Sequence, residues 1–517
     1  MTTSSWQPAR QVPLITSVLN DRRAGLVITV ASGLLAGTII ALLMPRGPIT
    51  TLHVITVMLA GLLVGFLSGF TMQSRWAKLL APLAYIVAFE LGTMNTVGPT
   101  MDTIRFDNTF GILALILGRG VHGLFALFPM LVGAAWGTFF ARRHAAQERP
   151  AERGTRFYLR RAILIVATLA VALMAVLALW PASTPAFTGP DGKPLEGSIA
   201  TLEKVRIGGT DQWIMIRGQD ADNPVLLYLS GGPGQSDLAF PRVLFEDLTA
   251  DVTIVGWDQR GTGKSYPAIE PTSAVTLDRA VADTIELAEY LTQRFDEQKI
   301  YVLGESWGTI LGIHAVQKRP DLFHAYIGSG QMVAPLETDT RIRADLIDYA
   351  TREGRQDILD TMEKYGTPPY KDVLAYAYVA THYDAMAGAY SPPPAYEERG
   401  TSSGVGPWGV LSSEYSLIDK VNVLRGLLDV FAILYPQIQE VDFRRDAAVL
   451  AVPVYILDGQ HELDGRRDLA LEWFEQLDAP IKEFHSFPNA GHAVAFEQFE
   501  AFHQILVEVI LPQTYQQ

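Results

Sequence analysis

The sequence predicts an α/β fold, a mostly parallel sheet with helices on both faces and a helical cap insertion, preceded by an α-helical transmembrane domain. Three observations carry that expectation. Long apolar runs fill the first third of the 517 residues, and short apolar runs then alternate with amphipathic segments. The alternation breaks off once, over more than a hundred residues, before it resumes.

Charge divides the chain in the same place. Residues 1–180 hold 15 Lys and Arg against 6 Asp and Glu, whereas the remainder holds 26 against 49. A basic, apolar block joined to an acidic one implies two modules in different surroundings, the first in a lipid bilayer. The acidic excess argues against nucleic acid as a partner, because a phosphate backbone is bound by clustered Lys and Arg. The absence of cysteine removes disulfides, thiolate chemistry and Cys-based metal sites.

In the first module, runs at 24–44, 51–72, 121–141 and 162–180 suit helices crossing roughly 30 Å of hydrocarbon. A shorter run at 79–94 contains Pro82 and Glu90, and with it five spans are expected within residues 1–181. Asp21, Arg22 and Arg23 precede a run longer than a signal-peptide core, which argues against a cleaved leader. Basic residues cluster in alternate loops: Arg10, Arg22 and Arg23, then Arg75 and Lys78, then Arg142, Arg143, Arg149, Arg153, Arg156, Arg160 and Arg161. The positive-inside rule makes these loops and the N-terminus cytoplasmic. Five crossings then deliver the second module to the extracytoplasmic face of the cell membrane; four would reverse that. Glu90, Arg119 and His122 lie in or beside the spans, either as functional groups or, more plainly, as a structural ion pair or at interfacial positions.

Residues 182–199 are rich in Pro and Gly and read as a linker. Strand patterns follow at 204–207, 212–217, 225–229, 252–257, 300–303 and 325–327, with a helical face over 277–295. After 335–447, helix-like with Pro-rich breaks, come strands at 452–457 and 482–487 and helices at 469–477 and 497–510. Residues 200–334 and 448–517 are thus the expected core, and 335–447 the cap.

The chemistry centres on Gly304-Glu305-Ser306-Trp307-Gly308, between a strand and a helix start. A serine flanked by glycines at such a turn is exposed as a nucleophile. It needs a base and hydrogen-bond donors for an oxyanion. Ser230-Gly231-Gly232-Pro233-Gly234 follows another strand, and the N–H groups of Gly232 and Trp307 are the expected oxyanion pair. His492, in a Gly-flanked loop before the final helix, is the expected base; His461, His485 and His503 compete with it. Asp258-Gln-Arg-Gly-Thr-Gly-Lys-Ser265 suggests a phosphate loop, but that pattern requires glycine at Asp258. Asp458, His461, Glu462 and Asp464 crowd the end of the 452–457 strand, and Gly465 stands where a zinc motif would need its second histidine. No cofactor or metal is expected.

Together, the segments 230–234, 258–265 and 304–308 resemble the proline iminopeptidase group of α/β-hydrolase serine peptidases. Ser230 departs from that group, whose pattern begins with histidine, and the membrane module has no counterpart in its soluble members. The resemblance implies an α/β-hydrolase core with a helical cap, and release of N-terminal residues, often proline, from peptides. It also implies that the triad acid lies three residues after the strand-end glycine, which is Glu462 counting from Gly459; Asp464 is the alternative. Ser306, His492 and Glu462 would then act on a peptide or small-molecule substrate. Binding its amine calls for carboxylates, and the cap offers Glu337, Asp339, Glu397 and Glu398. An esterase or lipase acting on lipid-derived substrates, and a non-catalytic ligand-binding protein, are the alternatives.

Overall fold

The structure, a computed structural model, describes residues 21–515 except 103, 107, 146–153, 388–389, 392, 395 and 397–406. Arg10, Arg149, Arg153, Glu397 and Glu398 lie outside the described residues. Two compact units are present: Met1–Val97 with Leu115–Trp180, and Gly98–Ala114 with Pro181–Gln517.

The first unit is helical: α1 (Arg22–Leu43), α2 (Thr51–Met72), α3 (Ala77–Thr93), α4 (Val121–Ala145) and α5 (Thr155–Leu179). Glycines four residues apart let α2 and α4 touch backbone to backbone. A Cβ on Gly65 would lie 1.9 Å from the Met130 carbonyl oxygen, and Gly61 and Gly69 meet the carbonyls of Ala126 and Ala134 in the same way. Gly133 and Gly137 reciprocate against Leu62 and Phe66. Such small-residue stripes are how apolar helices associate where lipid removes the hydrophobic drive.

Four helices among the described residues are long and apolar enough to cross a membrane: Arg22–Leu43, Thr51–Met72, Thr109–Arg143 and Thr155–Leu179. The fifth expected span, at α3, falls short of that length. Helix α3 has 17 residues, about 25 Å at 1.5 Å per residue, because polar residues bound its apolar run on both sides. Glu90 and Arg119 form the ion pair anticipated for them, with Arg119 Nε and Nη2 each 2.9 Å from a Glu90 oxygen.

The second unit is built on an eight-stranded sheet: β1 (Ile199–Ile207), β2 (Thr210–Gly218), β3 (Val225–Leu229), β4 (Thr253–Asp258), β5 (Ile300–Glu305), β6 (Phe323–Ser329), β7 (Val454–Gly459) and β8 (Lys482–Phe487). The order is β1-β2-β4-β3-β5-β6-β7-β8. Strands β1 and β2 pair antiparallel, as do β2 and β4, and every later pairing is parallel. Strands β3, β4, β5 and β7 are buried throughout, which is why they read as unbroken apolar runs. Alternate residues, among them Leu226, Tyr228, Tyr301, Leu303, Tyr455 and Leu457, share one core with Phe496, Phe499 and Phe502 of the closing helices. Helices α6 (Leu277–Phe295) and α7 (Trp307–Lys318) connect strands of the parallel set.

Between β6 and β7 the chain forms α8 (Pro335–Arg352), α9 (Gln356–Tyr365), α10 (Leu374–Ala380), α11 (Tyr383–Met386) and α12 (Leu417–Leu434). This insertion meets the loops that leave the carboxyl ends of the strands. Gly234, after β3, abuts the Gly426 carbonyl of α12, and Lys264, after β4, donates to Asp419 at 2.8 Å.

One segment departs from the sequence reading. Gly98–Ala114, expected as a loop of the first module, belongs to the second unit. Thr100 donates its N–H (3.0 Å) and its hydroxyl (2.6 Å) to the buried carboxylate of Asp429 on α12, which also accepts from Tyr266 at 2.6 Å. Arg105 pairs with Asp372 at 2.7 Å. Burying a carboxylate is tolerable only with such donors. Thr100→Ala is therefore expected to cost about 1.5–3 kcal/mol, the range for a hydrogen bond to a charged group. Pulse proteolysis of the full-length protein in detergent measures this; unchanged resistance would remove the segment from the stability of the second unit.

Candidate active site

Strand β5 delivers Ser306 at a turn that only certain neighbours permit. Ser306 has φ +50° and ψ −114°, a region that costs a non-glycine residue about 1–3 kcal/mol. The turn is tight enough that a Cβ on Gly304 would meet the Gly308 carbonyl at 2.6 Å, and one on Gly308 the Leu229 carbonyl at 2.0 Å. The two glycines of the motif are thus steric requirements of packing α7 onto β3 and β5. Ser306 N–H donates to the Ser329 carbonyl at 3.0 Å, fastening the turn to the end of β6. Its Oγ lies 3.9 Å from the Met332 sulfur.

His492 and Glu462 come from the loops after β8 and β7. His492 Nδ1 is hydrogen-bonded to Glu462 Oε2. The other Glu462 oxygen accepts from Leu463 N–H at 2.8 Å and from Arg466 Nη1 at 3.4 Å. Burial pushes this carboxyl upward, but the charges of His492 and Arg466 and these hydrogen bonds prevail, holding it at about 2. Asp464 opens helix α13 (Asp464–Gln476) and is not among the hydrogen-bond partners of His492. Asp458 ends β7 bound to Arg467 at 3.0 Å and Ser486 at 3.3 Å. His461 stacks on Tyr390, His485 lies 3.2 Å from Glu483, and His503 binds Asp251 at 2.8 Å.

Gln259 joins the three motifs. Its Nε2 donates to Ser230 Oγ at 3.1 Å, and its Oε1 accepts from Trp307 Nε1 at 2.9 Å. Ser230 thus opens the glycine loop through a polar bond to Gln259. Within that loop Gly231 faces the nucleophile, since a Cβ there would lie 3.5 Å from Ser306 Cβ. Gly232 (φ +117°) turns within its own loop, where a Cβ would meet the nitrogens of Gly234 and Gln235. Trp307, at the start of α7, is buried. Lys264 lies 4.5 Å from the Trp213 ring centroid and is ion-paired with Asp419, a structural placement for the residue that suggested a phosphate loop.

Residues 224–362 match the family model described as alpha/beta hydrolase fold, in agreement with the sheet order and the strand-end loops. The second unit has the α/β-hydrolase fold. Among curated proteins, the chain is 28% identical to a Bacillus subtilis (strain 168) protein named Probable aminopeptidase YbaC, over 60% of this chain and 96% of that one. It is 33% identical to a proline iminopeptidase of Lactobacillus helveticus, over 21% of this chain and 36% of that one. Among solved structures, a proline iminopeptidase from Mycobacterium smegmatis aligns with a TM-score of 0.43 at 17% identity, covering 61% of this chain and 99% of that one.

Two residues of the hydrolase unit that sequence reasoning passed over bear on the candidate triad. Glu305, named only as part of its motif, is buried, with a carboxylate oxygen 3.9 Å from His492 Nε2. Burial, partly offset by the charges of His492 and Arg466, pushes it up to about 7. Arg466 is the second: besides Glu462 it meets Tyr383 of the cap, donating to its hydroxyl at 3.1 Å. The spacing from Glu462 to Arg466, four residues at a helix start, is the signal that announces this pair.

The Arg466 cation opposes protonation of Glu462, so removing it raises the pKa of that carboxyl. In Arg466→Met the acid-side fall in the rate of Ser306 modification by a fluorophosphonate is expected to move to higher pH, with Arg466→Lys lying between. An unmoved acid limb would show that Arg466 does not act through this carboxyl.

Proposed function

We propose that the protein is a membrane-anchored serine hydrolase of aminopeptidase type, releasing N-terminal residues as proline iminopeptidases do. The observation that carries this reading is the hydrogen bond from His492 Nδ1 to Glu462, in the loops after β8 and β7, with Ser306 in the strand-to-helix turn that ends β5. The relatives named as aminopeptidases support the substrate class.

In the proposed mechanism Ser306 Oγ turns from the Met332 sulfur toward His492 Nε2. His492 takes its proton as Oγ attacks the carbonyl carbon of the N-terminal residue. The N–H groups of Gly232 and Trp307 receive the oxyanion. The imidazolium, stabilised by ionised Glu462, then protonates the leaving amine, and the first residue remains as an acyl ester on Ser306. Water, deprotonated by His492, hydrolyses the ester and restores the serine. No cofactor enters this sequence.

Ser306→Ala is expected to abolish release of proline or alanine from their arylamides and to end fluorophosphonate labelling. Glu462→Gln should slow release by roughly 10⁴-fold, as loss of the orienting acid does in such triads, and Asp464→Asn far less. Steady-state kinetics on the full-length protein in detergent measures both. Labelling at another residue, or the reverse ranking of the acids, would overturn the assignment, and activity confined to short acyl esters would point to an esterase.

The sidedness follows from the same reading. Gly33 and Gly37 of α1 press against the backbone carbonyls of Ala81 and Tyr85, supporting α3 as a short crossing member of the bundle. With the Arg-rich loops cytoplasmic, five crossings put the hydrolase unit outside the cytoplasm. The chain has no cysteine, so single cysteines report cleanly. An impermeant maleimide should label Ser183→Cys but not Ser74→Cys in intact cells; labelling of both, or of neither, would mean four crossings.

A further inference from the structure

Among the described residues, the carboxylate of Glu305 is the charge beside the nucleophile to which the mechanism gives no task. Glu305 is 5% exposed, and among the described residues its carboxylate makes no hydrogen bond; His492 Nε2, at 3.9 Å, is its ion-pair neighbour. It is aimed across the glycine loop, where a Cβ on Gly231 would lie 2.5 Å from Glu305 Oε2 and 3.5 Å from Ser306 Cβ. The lack of a side chain at Gly231 thus keeps a carboxylate oxygen clear next to the attacking residue.

We propose that Glu305 receives the α-ammonium group of the substrate's N-terminal residue, so that the residue preceding the nucleophile sets the preference for a free amino terminus. This rests on the aminopeptidase reading above and deepens it. In an N-terminal residue one carbon separates the α-nitrogen from the scissile carbonyl carbon, a distance of ~2.5 Å from standard bond lengths and angles. When that carbon meets Ser306 Oγ, the ammonium group therefore lies within a few ångströms of the nucleophile, and its counter-charge must stand there too.

The other carboxylates are already engaged. Glu337 is bonded to Arg341 and Arg444, each at 2.5 Å. Asp339 accepts from Tyr435 at 2.9 Å and Gln439 at 3.3 Å. Glu497 accepts the N–H groups of Gly491 and Ala493, and Glu462 serves His492. Glu305 combines a position beside Ser306 with free hydrogen-bonding capacity. Burial disfavours its ionised form, with the carboxyl at about 7, and an arriving ammonium supplies the missing partner in a site of low dielectric. An N-acylated substrate would bring a neutral amide instead, leaving the carboxylate uncompensated.

The test uses the full-length protein in detergent and two arylamides of the same shape, alanyl-p-nitroanilide and propionyl-p-nitroanilide, which differ only by the amine. The wild type should favour the alanyl compound in kcat/KM by roughly 100-fold or more, as a site built around a buried polar contact does. In Glu305→Gln that ratio should fall at least about tenfold, and Glu305→Asp, which keeps the charge, should retain part of it. A wild-type preference that survives in both variants, or an equal slowing of both substrates, would overturn the proposal; equal slowing would assign Glu305 to the imidazolium of His492 instead. Absence of any preference in the wild type would sink the aminopeptidase reading and the amine site with it.

Discussion

The approach of α7 to β3 and β5 is the constraint on which the arrangement of the site depends. Ser306 stands at φ +50° because the chain must reverse from strand to helix within one residue while Gly308 lies against the Leu229 carbonyl. A side chain at Gly304 or Gly308 would drive the helix off the sheet. The strain is held by neighbours that cannot yield: β3, β5 and β7 are buried along their whole lengths, and Ser306 is bonded to the end of β6. With that turn in place, the loop after β3 lies beside the serine, and the loops after β7 and β8 bring Glu462 and His492 together.

Two carboxylates flank one imidazole, and their surroundings drive them in opposite directions. Glu462 shares its burial with Arg466 and a backbone donor, and stays ionised. Glu305, equally buried but without hydrogen bonds among the described residues, is pushed up to about 7. Divergent environments for paired titratable groups are a mark of sites that divide tasks between them. The contact of Arg466 with Tyr383 also brings the cap into this electrostatic arrangement, since the tyrosine hydroxyl lies 3.1 Å from the guanidinium that pairs with Glu462. Asp258 and Asp237 show the contrasting case. Burial pushes them up to about 7 and about 8, and their partners Ser236, Lys264 N–H, Tyr228 and Gln235 hold loops in shape.

The helical unit obeys a different rule. In it, glycine at every fourth position admits a facing carbonyl, and Glu90 and Arg119 neutralise each other among apolar helices. The glycine stripes at 61, 65 and 69 and at 133 and 137 were present in the sequence as a small-residue spacing, but hydropathy alone does not register them.

Much of the hydrolase unit was legible in order along the chain. Buried parallel strands announce themselves as apolar runs, and the glycines at 304 and 308 reveal a turn because nothing larger fits there. Ser306 and His492 followed from loop chemistry, and Glu462 came only through a counted resemblance, since Asp458 and Asp464 have the same chemistry within a few residues. Separating them took three dimensions: Asp458 turns to Arg467, Asp464 opens a helix, and Glu462 reaches the imidazole. Likewise Gln259, Arg466 and Glu305 acquire meaning only from neighbours distant in sequence, and the attachment of Thr100 to Asp429 spans more than three hundred residues. Local patterns record which backbone a segment can adopt, because propensity, glycine placement and apolar period act over a few residues. Which polar group is left buried and short of partners is decided by long-range packing, and that is where the distinctive chemistry of this chain lies.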